Sequence, residues 1–324
     1  MHRIIHHTDL DGFASAAIVA YNLIQGRGVP RSDIWFVPIN YGMELQESKF
    51  DFSGKDKFYM VDFTLQPDEK MVDFRDRTGH SLVWIDHHET ALATERNRGL
   101  EDTKGLRQSG LAGCELTWQY YFEAAIPKFI EYIGKWDTWR NDDNTFWEHD
   151  IVPFQLYLSS LDLRPSHNLD WWFEKLYQGA PTDYGKITVQ HAEEFLDKGV
   201  HDGHSIQRYV ERQADSNVRK GFKGKFAGVP AYFINRGENS RIFEKYDEAK
   251  GLDLWVTYTH HKGTYWMISL YSNKPGVHCG EICKRLGEAG PIPSGGGHAG
   301  AAGFQTTWEY FWSLVEVDKF KELK

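Results

Sequence analysis

Three short apolar segments near the start of the chain each end in acidic or histidine residues, and helix-like segments separate them. The apolar segments are residues 3–7, 57–63 and 81–86, and the helical patterns cover residues 13–24 and 68–77. Strands that alternate with helices of about 10–15 residues predict a parallel sheet covered on both faces. In such sheets ligands bind at the carboxyl ends of the strands. The sequence therefore predicts an α/β fold with a site built from the residues that follow these strands.

The end of the first predicted strand carries three side chains that can bind a cation. His7, Asp9 and Asp11 occupy alternate positions, so they point the same way if the chain is extended there. Gly12 lets the backbone turn tightly into the next helix. Imidazole and carboxylate ligands together suit manganese, iron, cobalt or zinc. The alternative is that the aspartates only cap the following helix, which explains one aspartate better than it explains a histidine with two.

The other two predicted strands end in similar residues. Asp62 follows one apolar run, and another leads directly into Asp86, His87 and His88. Polar side chains at the end of a buried strand need partners, and metal coordination supplies them, with one aspartate orienting an imidazole. Asp137 is a further carboxylate in an apolar and aromatic segment. Taken singly, Asp62 is better explained as a cap or turn residue, and Asp137 is equally consistent with either role.

A glycine-rich loop in the C-terminal third predicts an anion-binding site. Gly295, Gly296 and Gly297 are consecutive, and His298 follows them. Such a run brings backbone N–H groups close to a ligand, and the histidine adds a donor. A flexible hairpin is the alternative, but the histidine and the small residues after it favour a phosphate cradle.

Charge and residue pattern divide the chain into parts. We expect a first domain over residues 1–182, a helical connector over 183–220 and a second domain over 221–324, in which residues 224–235 form one strand. The net charge of −9 is uneven, with −12 on the first 219 residues and +3 on the rest. An acidic part that holds metal and a basic part that holds phosphate would produce this, although ordinary surface charge is the simpler explanation when charge is considered alone.

Composition limits the class of protein. No apolar stretch approaches the ~20 residues of a membrane span. Three isolated cysteines and the absence of a visible leader predict a cytoplasmic location, and a homodimer is left open. Most of the twelve tryptophans are expected to pack in the core, whereas Trp139, near Asp137, is the one to test as a base-stacking residue.

These motifs, in their order along the chain, resemble those of the DHH phosphoesterase superfamily. His7–Gly12 is similar to its first motif, Asp62 to its second, Asp86-His87-His88 to the triplet that names it and Asp137 to its fourth. Residues 295–303 resemble the signature of the DHH-associated domain. The resemblance implies a parallel-sheet N-terminal domain, a smaller α/β C-terminal domain and an active site in the interdomain cleft.

The resemblance also implies roles for individual residues around two divalent cations, most readily manganese. One cation would be held by His7, Asp9 and Asp62. The second would be held by Asp11, Asp62, His87 and Asp137, with Asp62 bridging. His88 would face the scissile phosphate and Asp86 would support its neighbours. Gly295–His298 would anchor a substrate phosphate, assisted by Lys274, which stands where the family's oligonucleotide-degrading branch is expected to carry an arginine or a serine-rich strand.

The oligoribonuclease (nanoRNase) branch is the most similar. It implies a manganese-dependent phosphodiesterase in which water activated by two metals hydrolyses short RNA, short DNA or dinucleotides to mononucleotides. The alternatives are a RecJ-like single-strand exonuclease, a cyclic-dinucleotide phosphodiesterase and a nucleoside 3′,5′-bisphosphate phosphatase. RecJ-type enzymes are usually much longer, so the length of 324 residues favours short substrates. The alternative from another class is a non-catalytic nucleotide sensor, which would be expected to lack at least one ligand.

Overall fold

The structure, a computed structural model, describes residues 1–41, 43–79, 81–179, 185–237, 240–244, 246–261 and 263–317. It divides into two compact units, Met1–Gln207 and Arg208–Lys324. The predicted boundary between residues 182 and 183 lies outside the described residues, and the three-part division stays a prediction. None of the helices in the described ranges combines the length and the apolar character that a bilayer span requires.

The first unit contains a four-stranded parallel sheet, which confirms the α/β prediction. Its strands are β1 (His2–His6), β2 (Ile34–Pro38), β3 (Lys57–Val61) and β4 (Val83–Ile85), and their order in the sheet is β2-β1-β3-β4. Residues 58–61 of β3 are all buried, as expected for a strand covered by helices on both faces. Since β2 and β3 lie on opposite sides of β1, the strand order reverses beside β1, and such switch points are where open α/β sheets bind ligands.

Helices cover the sheet. The chain enters α1 directly after β1, and α1 is almost entirely buried because it packs against the sheet and three other helices. The helices of this unit are α1 (Leu10–Tyr21), α2 (Asp68–Arg77), α3 (Glu89–Arg98), α4 (Gly113–Tyr121), α5 (Lys128–Asp137), α6 (Asn144–Phe146), α7 (Val152–Ser159), α8 (Pro165–Gly179) and α9 (Gly185–Val218), and the division into units falls within α9.

The second unit is a mixed seven-stranded sheet with helices. Its sheet order is β11-β5-β6-β7-β8-β10-β9, and within the described ranges β6 and β7 are the one pair that is parallel. The strands are β5 (Phe222–Phe226), β6 (Val229–Ile234), β7 (Leu254–His261), β8 (Tyr265–Tyr271), β9 (Gly296–Gly297), β10 (Ala301–Thr306) and β11 (Val315–Glu316). The helices are α10 (Arg241–Glu244), α11 (Asp247–Lys250), α12 (Cys279–Ala289) and α13 (Trp308–Ser313).

The prediction of one strand over residues 224–235 is wrong. Ala227 and Gly228 both have positive φ, +49° and +84°, and they turn the chain between β5 and β6 into a tight hairpin. Two successive residues with positive φ match the right-handed twist of the paired strands. The sequence signal is weak because only the second of the two is glycine.

Candidate metal centre

Six of the predicted ligands converge at the carboxyl edge of the parallel sheet. His87, two residues past the end of β4, lies at the middle of this cluster. Its Nε2 is 3.2 Å from Asp62 Oδ1, 3.2 Å from Asp137 Oδ2 and 3.6 Å from Asp11 Oδ2. The structure thus brings together residues from distant parts of the sequence, as expected when parallel strands end at one edge.

Asp62 links two halves of the cluster. Its Oδ2 is 3.7 Å from His7 Nδ1, whereas its Oδ1 faces His87. Its backbone has φ of +54°, a left-handed conformation that aspartate tolerates better than most residues, and its amide donates to Ile85 O at 2.8 Å. The side chain is buried, and Oδ1 accepts no hydrogen bond from the part of the chain that the structure describes. A buried carboxylate oxygen in this state is a ready ligand for a cation.

His7 and Asp9 form one side of the cluster. His7 Nδ1 lies 2.5 Å from Asp9 Oδ2, and His7 Nε2 donates to Asn40 Oδ1 at 2.9 Å. With Nε2 carrying the proton, Nδ1 is the atom of the neutral ring that can bind a cation. Asp9 Oδ1 accepts from the amide of Gly12 at 2.9 Å and caps α1. The capping alternative and the metal alternative are therefore compatible, because each uses a different oxygen.

Asp11 reaches the cluster for a reason other than the predicted one. The prediction that the chain is extended through residue 11 is wrong, because α1 begins at Leu10. Asp11 sits in the first turn of α1 and accepts from the first two amides of α4, Gly113 N at 2.8 Å and Cys114 N at 2.6 Å. The two helix starts thereby fix its carboxylate within reach of His87. Gly12 is required for close packing, since a Cβ there would lie 2.4 Å from His7 O.

Asp86 holds the turn that presents both histidines. Its Oδ1 accepts from the amides of His87 and His88, at 2.7 and 3.0 Å, and lies 2.7 Å from His88 Nδ1. Its Oδ2 accepts from Thr64 Oγ1 at 2.6 Å. Burial opposes ionisation of Asp86, but His88 outweighs it and lowers the Asp86 pKa to about 2. The resulting carboxylate orients the His88 ring through Nδ1.

Asp137, the last residue of α5, is fixed by the residues around it. The buried Glu115 carboxylate accepts from the amide of Ala112 at 2.9 Å and also binds Arg140 Nη2. Arg140 Nε donates in turn to Thr138 Oγ1 at 2.8 Å. This pair ties the first turn of α4 to the loop that follows Asp137, and so sets where that carboxylate lies.

The metal-free cluster is electrostatically unfavourable. Burial raises the pKa of Asp62 well above its ordinary value, and the carboxylates of Asp11 and Asp9 raise it further. Burial also raises the pKa of Asp137 well above its ordinary value, and Asp11 and Asp9 again raise it further. Burial opposes ionisation of Asp9 as well, but the hydrogen bond with His7 outweighs it and lowers the Asp9 pKa to about 2. Bound cations would remove this repulsion.

The donor set fits divalent cations. Among the described residues, three groups have ligand atoms that all lie within 4.8 Å of one another. The first is His7, Asp9 and Asp62, and the second is Asp11, His87 and Asp137. The third is Asp62, His87 and His88. Oxygen and imidazole nitrogen ligands without thiolate suit manganese and related metals. Cys114 is close to Asp11, but its buried Sγ donates to Ile130 O at 3.8 Å and it belongs to none of these three groups.

The predicted substrate loop lies in the second unit, where it forms a hairpin with packed glycines. Gly296 and Gly297 pair with β10, and His298 N donates to Ala301 O at 2.8 Å. A Cβ at Gly295 would lie 2.4 Å from Cys283 O, and one at Gly297 would lie 2.7 Å from Ala301 O, whereas one at Gly296 would meet nothing within 4 Å. Two of the three glycines are thus required by packing, and Gly296 alone borders open space.

Lys274 lies beside this loop. The amide of Ser272 donates to Gly300 O at 2.9 Å, and Ser272 Oγ accepts from Lys274 N at 3.1 Å. The turn that carries Lys274 is therefore attached to the end of the glycine loop. Lys274 itself is half-buried.

Several residues of the site were missed by reasoning from the sequence. Asn40 and Thr64 orient His7 and Asp86, and Tyr41 packs its ring 5.6 Å from that of His7 and 6.1 Å from that of His88. Gly113 packs against the carboxylates themselves. Asn40 and Thr64 each follow an apolar strand-like run by a few residues, which is the same signal that identified Asp62, but short polar residues in turns are too common to stand out.

Metal binding should depend on pH because protons compete for the same atoms. Burial lowers the pKa of His7, but Asp9 outweighs it and the net shift is upward from 6.5. The protonated His7 therefore stabilises the metal-free protein below pH 6.5, and this stability is lost as pH rises through the higher pKa of the folded state. We expect the rise in Tm caused by Mn²⁺ to be largest near pH ~8 and to shrink toward pH ~6. A rise in Tm that does not vary with pH, measured by scanning fluorimetry at fixed ionic strength, would contradict this.

No family model matches the chain, and neither does any curated protein. Among solved structures, the DHH domain of a protein assigned to a family of ribosomal proteins is 15% identical with a TM-score of 0.57, covering 96% of this chain and 85% of that one. This likeness shows that the chain has the fold of a DHH-domain protein.

Two further structures are similar to a smaller degree. RecJ from Thermus thermophilus in complex with Mn²⁺ is 14% identical with a TM-score of 0.48, and the match spans 97% of this chain but 50% of RecJ. The pGpG-specific phosphodiesterase PggH from Vibrio cholerae is 13% identical with a TM-score of 0.41, spanning 95% and 93% of the two chains. Both TM-scores are below 0.5, so the conclusion on the fold rests on the DHH domain alone.

Proposed function

We propose that this chain is a metal-dependent phosphodiesterase that hydrolyses short oligonucleotides or dinucleotides to mononucleotides. The observation that supports the proposal most is the Asp62 carboxylate, whose two oxygens face His7 on one side and His87 on the other. A bridging carboxylate between two groups of oxygen and nitrogen ligands is the arrangement that two-metal phosphodiester hydrolysis requires.

Two cation sites are proposed from the ligand groups of the structure. His7, Asp9 and Asp62 would hold one cation, and Asp11, His87 and Asp137 would hold the other together with Asp62. Bound divalent cations, with manganese the proposed metal, would supply an activated water and neutralise charge on the phosphate.

His88 is proposed to act on the phosphate with Asp86 as its positioning residue. Burial lowers the pKa of His88, but the Asp86 carboxylate outweighs it and the net shift is upward. A protonated imidazole stabilises negative charge on a phosphate oxygen or gives its proton to the leaving oxygen. Asp86 keeps the ring oriented through Nδ1, the atom at 2.7 Å.

A cavity beside the cluster supports a nucleotide substrate. It measures about 320 Å³, and it is lined by the apolar or aromatic residues Tyr41, Met43, Leu45, Phe63 and Leu65 and by the polar or charged residues Glu44, Glu47, Gln66, Lys70, Asp73 and Arg77. Tyr41 and Phe63 also contact the ring of His7, so the cavity adjoins the proposed cation site. The volume is at the lower end of those of small-molecule sites, as expected for a pocket that takes one nucleoside.

The substrate phosphate is proposed to contact Gly296, His298 and Lys274 in the second unit. Gly296 borders open space, and the turn of Lys274 is joined to the same loop. Lysine binds a phosphate as a point charge and cannot form the bidentate contact that arginine forms. We therefore expect a modest affinity for substrate, which falls as the salt concentration rises.

A time course with manganese tests the proposal. The substrates are 5′-labelled RNA of two to five nucleotides, RNA of about two dozen nucleotides, a cyclic dinucleotide and a nucleoside 3′,5′-bisphosphate, each with and without chelator. We expect rapid, chelator-sensitive loss of the short RNA with the long RNA spared. Preference for the long strand would replace the proposal with a RecJ-like exonuclease, and cleavage of the cyclic dinucleotide or the bisphosphate alone with the corresponding enzyme. Metal binding without hydrolysis of any substrate would indicate a nucleotide sensor.

A further inference from the structure

Trp139 has an unusual backbone conformation two residues after Asp137. Its φ is +55°, and among the described residues only Asp62 and Ala227 share a positive φ without being glycine. For a residue as large as tryptophan this conformation is unfavourable by about 1–3 kcal/mol. Backbone strain of this kind tends to persist where function requires it. Asp62, another of these three residues with positive φ, belongs to the metal cluster.

The strain does not serve to bury the ring. Trp139 is 39% exposed, whereas Trp147 beneath it is 2% exposed and fills the core. The ring centroids of Trp139 and Trp147 are 5.0 Å apart, and those of Trp139 and Trp136 are 5.9 Å apart. Trp136 and Trp147 are stacked on each other at 5.5 Å, which gives the exposed ring a rigid aromatic support.

The loop around Trp139 is also held from its other side. Arg140 binds Glu115 through Nη2 and donates through Nε to Thr138. The backbone amide of Arg140 donates to Lys135 O at 2.9 Å. Little conformational freedom is left for a ligand to remove, so binding to this ring carries a small entropic penalty.

Trp139 lies near the metal cluster because it follows Asp137 by only two residues. Two peptide units span at most ~7 Å, so its Cα lies within that distance of the Cα of Asp137, whose carboxylate is 3.2 Å from His87. A nucleotide whose phosphate is at the cluster can therefore place its base near Trp139. Bases stack on aromatic side chains with about 1–3 kcal/mol each, and tryptophan offers the largest ring for this.

We propose that Trp139 is a base-stacking residue of the active site, which selects substrates that carry a nucleobase next to the scissile phosphate. The inference rests on the proposed function in one respect, that a phosphodiester binds at the cluster. It adds a specificity determinant that acts on the base, whereas the metal ligands act on the phosphate.

Three variants and one control test the inference. Trp139→Phe keeps an aromatic ring, Trp139→Leu keeps an apolar side chain without one, and Trp139→Ala removes both. Trp35→Ala is the control, because Trp35 is 44% exposed on β2 and has no place in the proposed site. The probes are the dinucleotide ApA, two analogues that each lack one base, and a phosphonate analogue of ApA in which methylene groups replace both bridging oxygens, so that no bridging P–O bond is left to hydrolyse. In all four variants Mn²⁺ should raise the Tm by as much as it does in the wild-type protein.

We expect Trp139→Leu and Trp139→Ala to raise the KM for ApA and the Kd for the phosphonate about ten-fold. Trp139→Phe should stay within about three-fold, and Trp35→Ala should have no effect. The analogue that lacks the base contacting Trp139 should have the same KM with every variant. The stacking role is wrong if Trp139→Leu binds ApA as well as Trp139→Phe does. It is also wrong if the Trp139 substitutions weaken binding of both abasic analogues as much as they weaken binding of ApA. Since the phosphonate measures binding alone, base-dependent binding without any hydrolysis would uphold the stacking role and contradict the proposed function.

Discussion

Asp62→Asn should abolish manganese-dependent hydrolysis and, at alkaline pH, raise the Tm of the metal-free protein. Activity falls, by more than about 100-fold, because the amide cannot bridge two cations. The fold is preserved, since asparagine has the same shape and also tolerates the left-handed φ of +54°. Alanine would add backbone strain to the loss of the carboxylate, which makes asparagine the cleaner substitution.

The stabilising effect follows from the raised pKa of Asp62. Burial and the neighbouring carboxylates raise that pKa in the folded state, so the folded metal-free protein loses stability as pH rises through it. Asparagine has no charge to bury, and its advantage should therefore grow with pH and disappear at low pH. Near pH ~8.5 we expect a Tm about 5 °C above that of the unchanged protein without metal, and no further rise when Mn²⁺ is added.

The control is Asp142→Asn, which removes an exposed carboxylate of the same unit. It should leave activity, metal response and Tm as they are. Substantial activity of Asp62→Asn with saturating manganese would refute the bridging role. A lower Tm than the unchanged protein at alkaline pH would show that the empty cluster is not the unfavourable arrangement described above.

Gly113→Ala should disable the metal centre through a single added methyl group. A Cβ at this position would lie 2.8 Å from Asp62 Cβ and 3.1 Å from both Asp11 Oδ2 and Asp62 Oδ1. Gly113 begins α4, a position at which alanine carries no helix-propensity penalty of its own. The methyl group must displace the carboxylates, so we expect metal affinity and activity to fall about 10- to 100-fold with the Tm of the metal-free protein changed by a few degrees at most.

Gly251→Ala serves as the comparison. Gly251 follows α11, and a Cβ there would meet nothing within 4 Å. This variant should bind Mn²⁺ and hydrolyse substrate like the unchanged protein. Titration of each variant with Mn²⁺ by calorimetry separates metal affinity from turnover. Normal metal affinity in Gly113→Ala would mean that the carboxylates can move aside, and the packing argument would then be wrong.

The ligand types and the parallel sheet could be predicted because they depend on local patterns. Apolar runs that end in His7, Asp62 and Asp86 identify both the strands and the edge at which they finish. Asp11 shows the limit of such reasoning. The sequence predicts Asp11 as a ligand because it alternates with His7 and Asp9 along an extended chain. Its carboxylate is in fact fixed by the amides at the start of α4, in a distant part of the sequence.

Contacts of that kind require tertiary structure and leave little trace in the sequence. The sequence does not distinguish Glu115 and Arg140 from other charged residues, because they form an ion pair only when α4 packs against α5. Nor does it distinguish Gly113 from the other glycines, of which the chain has 30 in total. The hairpin at Ala227 was missed for a related reason, because a positive φ at alanine is imposed by the paired strands against its own preference.

The wide spacing of the ligands also determines when in folding a cation can bind. Apart from the segment from His7 to Asp11, each further ligand closes a loop of at least two dozen residues, and the last, Asp137, is the final residue of the fifth helix. Early in folding these side chains are too far apart to share an ion. Manganese should therefore leave the folding rate of this unit almost unchanged and should act by slowing its unfolding, so that the metal sets the lifetime of the native state.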